Sequence, residues 1–505
     1  EVVKRIREYK KMVWSNTLSY LTTFNNIHHL DFLAGYEIDD TYNDYLSGEA
    51  YNFTTPDKHA ISNGMKTVSV GGSDSRYRLV SYLSRLNYDY KNKYYLGASF
   101  RVDGSSRLHR DNRWGTFWSV SGAWRTIEEE FMQPVKDWLT DLRIRASYGV
   151  NGTLPSDYFG YMGLSSISDG YLEQPGIQMS QIANPNLKWE TNYNMNIGLD
   201  FGFWDRLNFT IEYYTRTTKN LLMDCPVSMT TGFSSYLMNI GEVKNKGIEL
   251  TINSTNIKIK DFSWNTTFNL GHNSNKVVKL DGEQTQIVSG TQIHKVGSSY
   301  RTFYVQEFAG INPETGNPLF YTNELDENGN YIKEITENSK NAQFIPYKHA
   351  EPTVNGGISN SLRYKWLDLN FLFSYQFGGY SYDTWAQKTE HGGYDSYANI
   401  PTYYRDSWKK PGDQTNIEVY MPGKSSSVSM HKITSSRRIH STDYFRLKNI
   451  TFGITLPKEW TNKINIGNVR FYASASNLWT WAAYDNYDPE AVSAGSATQT
   501  PPPLK

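Results

Sequence analysis

Most of this chain alternates apolar and polar residues with a period of two. Along 207–216, for example, apolar Leu207, Phe209 and Ile211 are each followed by a polar residue. Because successive side chains of a strand point to opposite faces, each such segment predicts a strand with one apolar and one hydrophilic face. The pattern predicts an all-β fold of about fourteen strands, longer than the usual 5–6 residues, near 12–24, 27–39, 76–90, 93–103, 113–127, 139–150, 191–203, 206–218, 244–258, 261–273, 353–364, 366–378, 444–456 and 467–479.

The connections between the predicted strands alternate in length. Short ones, such as 25–26, 91–92 and 204–205, interleave with a mostly long set: 40–75, 104–112, 151–190, 219–243, 273–352 and 379–443. Short turns at one rim and long loops at the other are typical of an up-and-down outer-membrane barrel, whereas a soluble sandwich has no reason to sort its loops. The sequence therefore predicts a transmembrane antiparallel up-and-down β-barrel with long extracellular loops.

Composition excludes several classes of protein. Lys plus Arg and Asp plus Glu both number 51, so the basic surplus expected of a nucleic-acid binder is missing and no nucleic-acid partner is predicted. No apolar run approaches the roughly 18 residues of a membrane-spanning helix. Aromatic residues make up 15% of the chain, which suits the aromatic girdles of a barrel. The single cysteine, Cys225, excludes a disulfide within the chain and is interpreted as a loop residue rather than a nucleophile.

Enzymatic and metal-binding patterns do not stand out. There is no Ser/His/Asp order, nucleophile elbow, paired catalytic carboxylate or phosphate loop, and the histidines are scattered. Residues 326–330 (Asp-Glu-Asn-Gly-Asn) have calcium-loop features but lack the closing Glu, so a hairpin turn is predicted there. We expect no enzyme activity, no cofactor, and no catalytic, metal or cofactor-binding residues.

Several motifs, in order along the chain, point to one family. Residues 101–107 read Arg-Val-Asp-Gly-Ser-Ser-Arg, and 138–149 read Trp-Leu-Thr-Asp-Leu-Arg-Ile-Arg-Ala-Ser-Tyr-Gly. Residues 184–191 read Asn-Pro-Asn-Leu-Lys-Trp-Glu-Thr, and 241–249 read Gly-Glu-Val-Lys-Asn-Lys-Gly-Ile-Glu. Between residues 12 and 490 the sequence resembles the barrel of the SusC/RagA family, which are TonB-dependent outer-membrane transporters of Gram-negative, Bacteroidetes-type bacteria.

The chain departs from that family at both ends. Family members carry an N-terminal plug domain with a TonB box, several early strands and a final strand, and none of these is recognised here. We interpret 1–505 as the C-terminal portion of the barrel, with about 14 of about 22 strands and with the plug domain absent from this chain. Residues 1–11 are charged and show no signal peptide, which predicts a processed or partial chain.

The resemblance implies a function and a set of partners. It implies outer-membrane import of a nutrient, either an oligosaccharide or a peptide, beneath a SusD-like surface lipoprotein that acts as a lid. The TonB complex would supply energy through the absent plug region, and outer-membrane lipid would surround the wall. One alternative is a structural barrel subunit of a larger cell-envelope assembly without transport of its own. Another is a soluble β-rich carbohydrate-binding or hydrolytic protein.

Two groups of residues are candidates for contact with cargo or partner. The loop 379–443 is dense in aromatic rings, which either stack on sugars, anchor a partner protein, or pack the loop on itself. These are Tyr380, Tyr382, Trp385, Tyr394, Tyr397, Tyr403, Tyr404 and Trp408. Charged residues on hydrophilic strand faces are predicted to line the lumen of the barrel. They are Arg143, Arg145, Asp200, Glu212, Arg216 and Arg470.

Overall fold

Fourteen long strands form one antiparallel sheet in chain order, each next to its sequence neighbour. The computed structural model describes residues 2–53, 55, 57, 59–168, 176–280, 285–393, 399–422, 430, 433–492 and 495. Within those residues, no helix has both the length and the apolar character needed to cross a membrane. The strands are β1 (Val2–Phe24), β2 (His28–Phe53), β3 (Gly64–Tyr90), β4 (Tyr94–Ser105), β5 (Trp114–Trp124), β6 (Leu139–Thr153), β7 (Glu190–Phe203), β8 (Leu207–Lys219), β9 (Glu242–Lys258), β10 (Phe262–Lys279), β11 (Val354–Tyr364), β12 (Leu367–Phe377), β13 (Tyr444–Thr455) and β14 (Arg470–Ala482).

The fourteen predicted strands are confirmed, but the prediction of a long loop over 40–75 is wrong. β2 continues to Phe53 and β3 begins at Gly64, and β1 already begins at Val2 inside the charged segment. Period-two alternation fails there because charges occupy both faces of the strands. Those charges pair across strands instead: Lys11 Nζ lies 2.8 Å from Asp39 Oδ2, and Arg78 Nε lies 3.0 Å from Asp40 Oδ2.

The short connections are tight turns built from left-handed residues. Asn25 and Asn26 have φ of 51° and 59°, and the Ile27 amide donates to the Phe24 carbonyl at 3.1 Å. Two consecutive left-handed residues define the type I′ turn, whose twist matches that of the strands it joins. Lys91-Asn92 and Trp204-Asp205 adopt the same conformation. Five of the seven connections predicted to be short, 25–27, 91–93, 204–206, 259–261 and 365–366, have two or three residues, whereas 125–138 and 456–469 are longer.

The wall strands are inverted relative to those of a soluble sheet. Along β4, Leu96 and Phe100 are exposed, whereas Gly97 and Ser99 between them are partly buried. Leu96 alone is 61% exposed. An apolar face turned outward with a hydrophilic face turned inward is the arrangement of a strand whose outer solvent is lipid.

Two rows of aromatic rings border this apolar face. In the upper row, the ring centroids of Trp14, Tyr36, Tyr82 and Trp114 follow one another at 6.1, 5.1 and 6.4 Å. The lower row, near the short turns, consists of His28, Tyr90, Tyr94 and Trp124, at 4.9, 6.2 and 6.3 Å. Along β2 the rows are roughly 27 Å apart at ~3.4 Å per residue, which suits a tilted strand crossing a hydrocarbon layer of about 25 Å.

The β2–β3 hairpin extends well beyond the upper aromatic row. β2 runs from Tyr36 to Phe53 above that row, a reach of roughly 55 Å at ~3.3 Å per residue. The outward face of β1–β3 there carries equal numbers of cations and carboxylates. They are Lys4, Lys10, Arg76 and Arg78, and Glu8, Asp40, Asp44 and Asp74.

The chain divides into two compact units, one within Glu1–Met132, Arg143–Ile197 and Arg216–Glu242, the other within Gln133–Leu142, Gly198–Thr215 and Val243–Lys505. Each has its own loop elements. In the first unit, Leu164–Ser168 pairs with Gly176–Gln181, and Leu222–Pro226 pairs with Ser235–Asn239. In the second, the loop strands are Gln286–Ser289, Gln292–Lys295, Thr302–Gln306, Phe308–Ile311, Pro318–Tyr321, Glu324–Leu325, Tyr331–Ile332, Ile335–Thr336, Phe344–His349, Tyr380–Tyr382 and Ile439–Ser441, and the helices are α1 (Thr384–Thr389) and α2 (Lys458–Thr461).

A charge placed between the two aromatic rows will destabilise the protein. Leu96→Lys puts an ammonium group on the apolar face, two residues above the lower row, at an expected loss of about 1–2 kcal/mol in the free energy of unfolding. The measurement is urea-induced unfolding in lipid vesicles, followed by heat-modifiable gel mobility. Leu46→Lys is the matched control: Leu46 is 53% exposed but lies beyond the upper row, and we expect a change below about 0.5 kcal/mol. Equal losses in the two variants would contradict this placement of the membrane.

Candidate functional site

The loops of the second unit fold together around a small buried core. The strand Tyr380–Tyr382 pairs antiparallel with Ile439–Ser441, which brings the two ends of the loop 378–443 together. Tyr382 is 1% exposed and packs with Phe303 and Ile439. Its backbone amide also donates to the Gly495 carbonyl at 2.8 Å. The described part of this loop therefore has a core of its own.

Asp383 connects α1 to the segment that follows the last wall strand. The Asp383 side chain caps α1: its Oδ1 accepts from the Ala386 amide at 2.7 Å. Its Oδ2 accepts from Tyr484 Oη at 3.1 Å. The carboxylate is buried, so both oxygens are satisfied by protein groups, as a buried charge requires. The position of α1 thus depends on residue 484.

A buried ion pair joins the end of α1 to the last part of the same loop. The Arg438 guanidinium contacts the Glu390 carboxylate, and both side chains are almost fully buried. Burial lowers the pKa of Arg438 to about 10, and the group remains charged at neutral pH. Tyr403 Oη also donates to the Glu390 carboxylate. Burial raises the pKa of Tyr403 to about 12, so this phenol is neutral and acts as a donor.

A cleft of about 330 Å³ opens between α1 and the segment 399–403. Trp385, which is 46% exposed, and Tyr403 supply aromatic surface. Thr389, Asn399 and Asn486 supply hydroxyl and amide groups, and Asp383 also lines the cleft, with its carboxylate already engaged by Ala386 and Tyr484. An exposed indole beside neutral polar groups can stack on a flat apolar face and hydrogen-bond at its edges.

Residues after the last wall strand complete this region, and the sequence patterns did not single them out. The rings of His440 and Tyr484 stack with centroids 3.7 Å apart and an interplanar angle of 3°. Tyr487 Oη hydrogen-bonds with Ser381 Oγ. Burial lowers the pKa of His440 to about 4, so the imidazole is neutral at physiological pH. The short aromatic spacing in Tyr484-Asp485-Asn486-Tyr487 was the available signal.

The same segment is tied to the wall. Arg446 of β13 is buried and forms ion pairs with Asp488 and Glu490, and Lys448 also contacts Glu490. Glu490 Oε1 accepts from Tyr444 Oη at 3.1 Å. A continuous set of contacts therefore leads from β13 through residues 484–490 to Asp383 and α1.

The predicted aromatic residues take different positions. Tyr382 and Tyr404 are buried, which fits the alternative that they pack the loop on itself. Tyr380 packs against the core of Tyr382, and Trp408 Nε1 donates to the Pro313 carbonyl at 2.7 Å. Trp385 and Tyr403 meet at the cleft. Tyr394 and Tyr397 lie outside the described residues. Contact of any of these rings with cargo or partner stays a prediction.

The predicted lumen-facing residues belong to both units, three to each. In the first unit, the Arg216 guanidinium donates to Asn192 Oδ1 at 2.8 Å, while Arg143 is exposed and Arg145 is half-buried. In the second unit, Asp200 is buried and its Oδ1 accepts from Thr210 Oγ1 at 2.9 Å. Glu212 is half-buried, and Arg470 pairs with Asp368 at 2.7 Å. Their role as lumen-lining residues stays a prediction.

The first unit has a second loop assembly, which explains one of the sequence motifs. Leu187 and Trp189 are buried beside Leu108 and Phe117. The Asn239 side chain clamps Lys188: its Nδ2 donates to the Lys188 carbonyl, and its Oδ1 accepts from the Lys188 amide, both at 2.8 Å. The motif 184–191 therefore serves packing.

Other sequence expectations concern reactive and ion-binding residues. Within the motif 101–107, Asp103 Oδ1 pairs with Arg101 Nε at 2.7 Å, and the Arg107 guanidinium stacks on the ring of Tyr77. Burial raises the pKa of the Cys225 thiol to about 11. The hairpin turn at 326–330 is confirmed by the pairing of Glu324–Leu325 with Tyr331–Ile332. Across the described part of the chain, no three His, Cys, Asp or Glu side chains are placed to hold a metal ion.

These features define an outer-membrane β-barrel wall with ordered loops, and comparisons with known proteins agree. Residues 6–331 match the family described as TonB dependent receptor-like, beta-barrel. TonB-dependent receptor P3 of Formosa agariphila is 33% identical over 503 residues, covering 94% of this chain and 49% of that protein. SusC of Bacteroides thetaiotaomicron is 30% identical over 482 residues, which cover 91% of this chain and 46% of that protein.

A solved structure gives the same result. The chain superposes on the RagAB peptide transporter with a TM-score of 0.86 and 27% identity, over 99% of this chain and 55% of that one. The chain belongs to the TonB-dependent receptor β-barrel family and is of SusC/RagA type. It is accordingly a protein of the outer membrane of Bacteroidetes. It spans about half the length of the curated relatives it matches.

Removing the Asp383 carboxylate will loosen α1. Asp383→Ala deletes the helix cap and one hydrogen-bond partner of Tyr484. We expect it to lower the free energy of local unfolding of α1 by about 1 kcal/mol. Limited proteolysis of the complete protein in outer-membrane vesicles will then cut within α1 about fivefold faster. Asp326→Ala is the matched control, because Asp326 also accepts backbone amide bonds, but in the hairpin turn. Faster cutting of α1 in the control variant would refute a specific role for Asp383.

Acid will weaken the packing of His440. Its pKa is depressed from 6.5 to about 4, so between these values the opened state binds a proton that the closed state does not. The packed position of His440 is therefore fully stabilised above pH 6.5, and it loses stability as the pH falls towards 4. Hydrogen exchange of Ile439–Ser441, corrected for intrinsic rates, will show less protection at pH 4.5 than at 7.5. In His440→Asn the difference should largely disappear, and its persistence would contradict this assignment.

Proposed function

We propose that this chain forms wall and extracellular loops of an importer that carries an oligosaccharide or a peptide across the outer membrane. The support is the combination of an inverted sheet with long, ordered loops on one rim and similarity to a SusC and to the RagAB peptide transporter. The hydrophilic strand faces would line the path, with Arg143, Arg145, Asp200, Glu212, Arg216 and Arg470 contributing to it.

The extracellular loops provide the first contact with cargo or with a lid. We assign that contact to the cleft at Trp385 and Tyr403, since it combines exposed aromatic surface with neutral hydrogen-bonding groups. A SusD-like surface lipoprotein is the proposed partner above these loops. The TonB complex is the proposed energy source, acting through a plug domain, and binding plus conformational change suffice for transport. No enzymatic step is proposed.

The test is uptake by cells that express the complete protein. The substrates are three pools: neutral oligosaccharides from hydrolysed starch and hemicellulose, acidic oligosaccharides from pectin and alginate, and tryptic peptides of casein. Uptake of at least one pool should depend on both this protein and TonB. Trp385→Ala should lower that uptake about tenfold, because loss of a central aromatic contact weakens binding by 1–2 kcal/mol.

Trp460→Ala is the matched control, because Trp460 is 57% exposed and lies in α2, between β13 and β14 on the short-turn side. We expect this variant to import normally. A protein that is folded in the membrane but imports none of the three pools would refute the transport function. It would favour instead a structural barrel subunit of a larger cell-envelope assembly.

A further inference from the structure

The hydrophilic face of β10–β14 contains two adjacent rows of residues without charge. The first row crosses five strands through register partners: Asn265, Ser361, Asn370, Thr451 and Ser474. Asn265, Ser361 and Ser474 are exposed, and the other two are half-buried. All five side chains end in an amide or a hydroxyl group. We call this set the first neutral row.

The next row towards the loops continues the same chemistry. Thr267 and Ser359 are register partners, and Asn449 and Ser476 are register partners further along the sheet. Leu372 lies between these pairs, next to Ser359 and Asn449. This second neutral row again contains no carboxylate, guanidinium or ammonium group.

Hydrogen bonds from the neighbouring strand fix the orientation of these amides. Thr255 Oγ1 of β9 donates to Asn265 Oδ1 at 3.0 Å. In the reverse direction across the same strand pair, Thr267 Oγ1 donates to Asn253 Oδ1 at 2.9 Å. Asn449 Oδ1 also accepts from Thr451 Oγ1 at 3.3 Å, so Asn265 and Asn449 present N–H donors, while the serine hydroxyls both donate and accept. Asn370 is the exception, because its Nδ2 donates to Asp368 Oδ2 at 3.3 Å. The surface is therefore ordered and offers both kinds of hydrogen bond.

Charged residues border the neutral rows on both sides. Towards the short turns, the next row contains Arg363, Asp368 and Gly453. An Arg470 guanidinium nitrogen lies 2.7 Å from Asp368 Oδ2, and this ion pair covers Gly453. A Cβ at Gly453 would come 2.5 Å from Asp368 Oδ1, so a larger residue at this position would displace the ion pair. Towards the loops, Arg446 is buried in its pairs with Asp488 and Glu490.

The hydrophilic face of the first unit has a different chemistry. There Lys11 pairs with Asp39 at 2.8 Å, and Arg85 pairs with Asp31 at 3.3 Å. Charge is thus common on the hydrophilic strand faces of this protein. The neutral rows of the second unit stand out against that background.

A surface of amides and hydroxyls selects cargo by charge. Sugar hydroxyls donate and accept as these side chains do, so a neutral sugar can exchange its water contacts for protein contacts one for one. A carboxylate, a sulfate or a peptide terminus would lose hydration without meeting an opposite charge within either row. We propose that the neutral rows are the contact surface for an uncharged oligosaccharide. This assignment rests on the proposed import function and specifies its cargo.

The test introduces one carboxylate into the first neutral row of the complete protein. Uptake is measured with the same three pools, after heat-modifiable mobility has confirmed equal amounts of folded protein. We expect the wild-type protein to import the neutral oligosaccharides in preference to the acidic ones and to peptides. Asn265→Asp, which replaces an amide with a carboxylate of the same shape, should lower neutral uptake about tenfold.

Ser263→Asp is the matched control. It adds the same charge two residues away on the same face of β10, opposite Arg363. Because that arginine compensates the new carboxylate, uptake should stay within about twofold of wild type. Asn265→Ser keeps the row neutral and should retain most of the uptake.

The outcomes separate this inference from the proposed function. TonB-dependent uptake of peptides or acidic glycans in preference to neutral ones would overturn the inference and leave the import function intact. Unchanged neutral uptake in Asn265→Asp would also overturn the inference, because it would show that a charge in the first neutral row does not affect the cargo. Equal losses in Asn265→Asp and Ser263→Asp would overturn it too, because they would show that the effect is not specific to that row. Absence of uptake from all pools would remove the import function and this inference with it.

Discussion

Hydrocarbon offers a strand no hydrogen-bond partner, so every backbone group between the aromatic rows must be satisfied by the two neighbouring strands. Chain-order antiparallel pairing meets this requirement with the shortest possible connections, which are the left-handed two-residue turns such as Asn25-Asn26. The same requirement fixes the direction of the side chains, because a strand that turns Leu96 and Phe100 to lipid must turn Gly97 and Ser99 to the other side. Inverted faces and uneven loops both follow from this one constraint.

The loops face water and obtain their order in another way. In the second unit, the ends of the loop 378–443 are joined by strand pairing, and its interior contains the Arg438–Glu390 pair and the Asp383 carboxylate. Buried charges are stable only with well-placed partners, so these contacts select one arrangement of the loop over alternatives. Trp385 is therefore presented from a fixed support, which lowers the entropy lost when something binds to it.

Sequence patterns predicted the wall well, because alternation directly records the two environments of a strand. They failed over 40–75, where Asp40 faces outward and pairs above the membrane with Arg78 of the next strand, and where charges interrupt the apolar face that would reveal a strand. The candidate site was only partly predictable. Aromatic density located the loop, but composition could not separate buried Tyr382 from exposed Trp385. Tyr484 and His440 were missed because their stacking joins segments 44 residues apart, and local periodicity carries no information about such contacts.

The long β2–β3 hairpin determines how the first unit meets charged molecules outside the cell. On the outward face of β1–β3, four cations lie among four carboxylates, and Asp40 sits between Arg76 and Arg78. At physiological ionic strength, opposite charges this close cancel beyond a Debye length of about 8 Å. The face therefore produces almost no electrostatic potential beyond that distance. Charged polymers are neither drawn to it nor repelled from it, so its encounters depend on diffusion and shape and change little with salt.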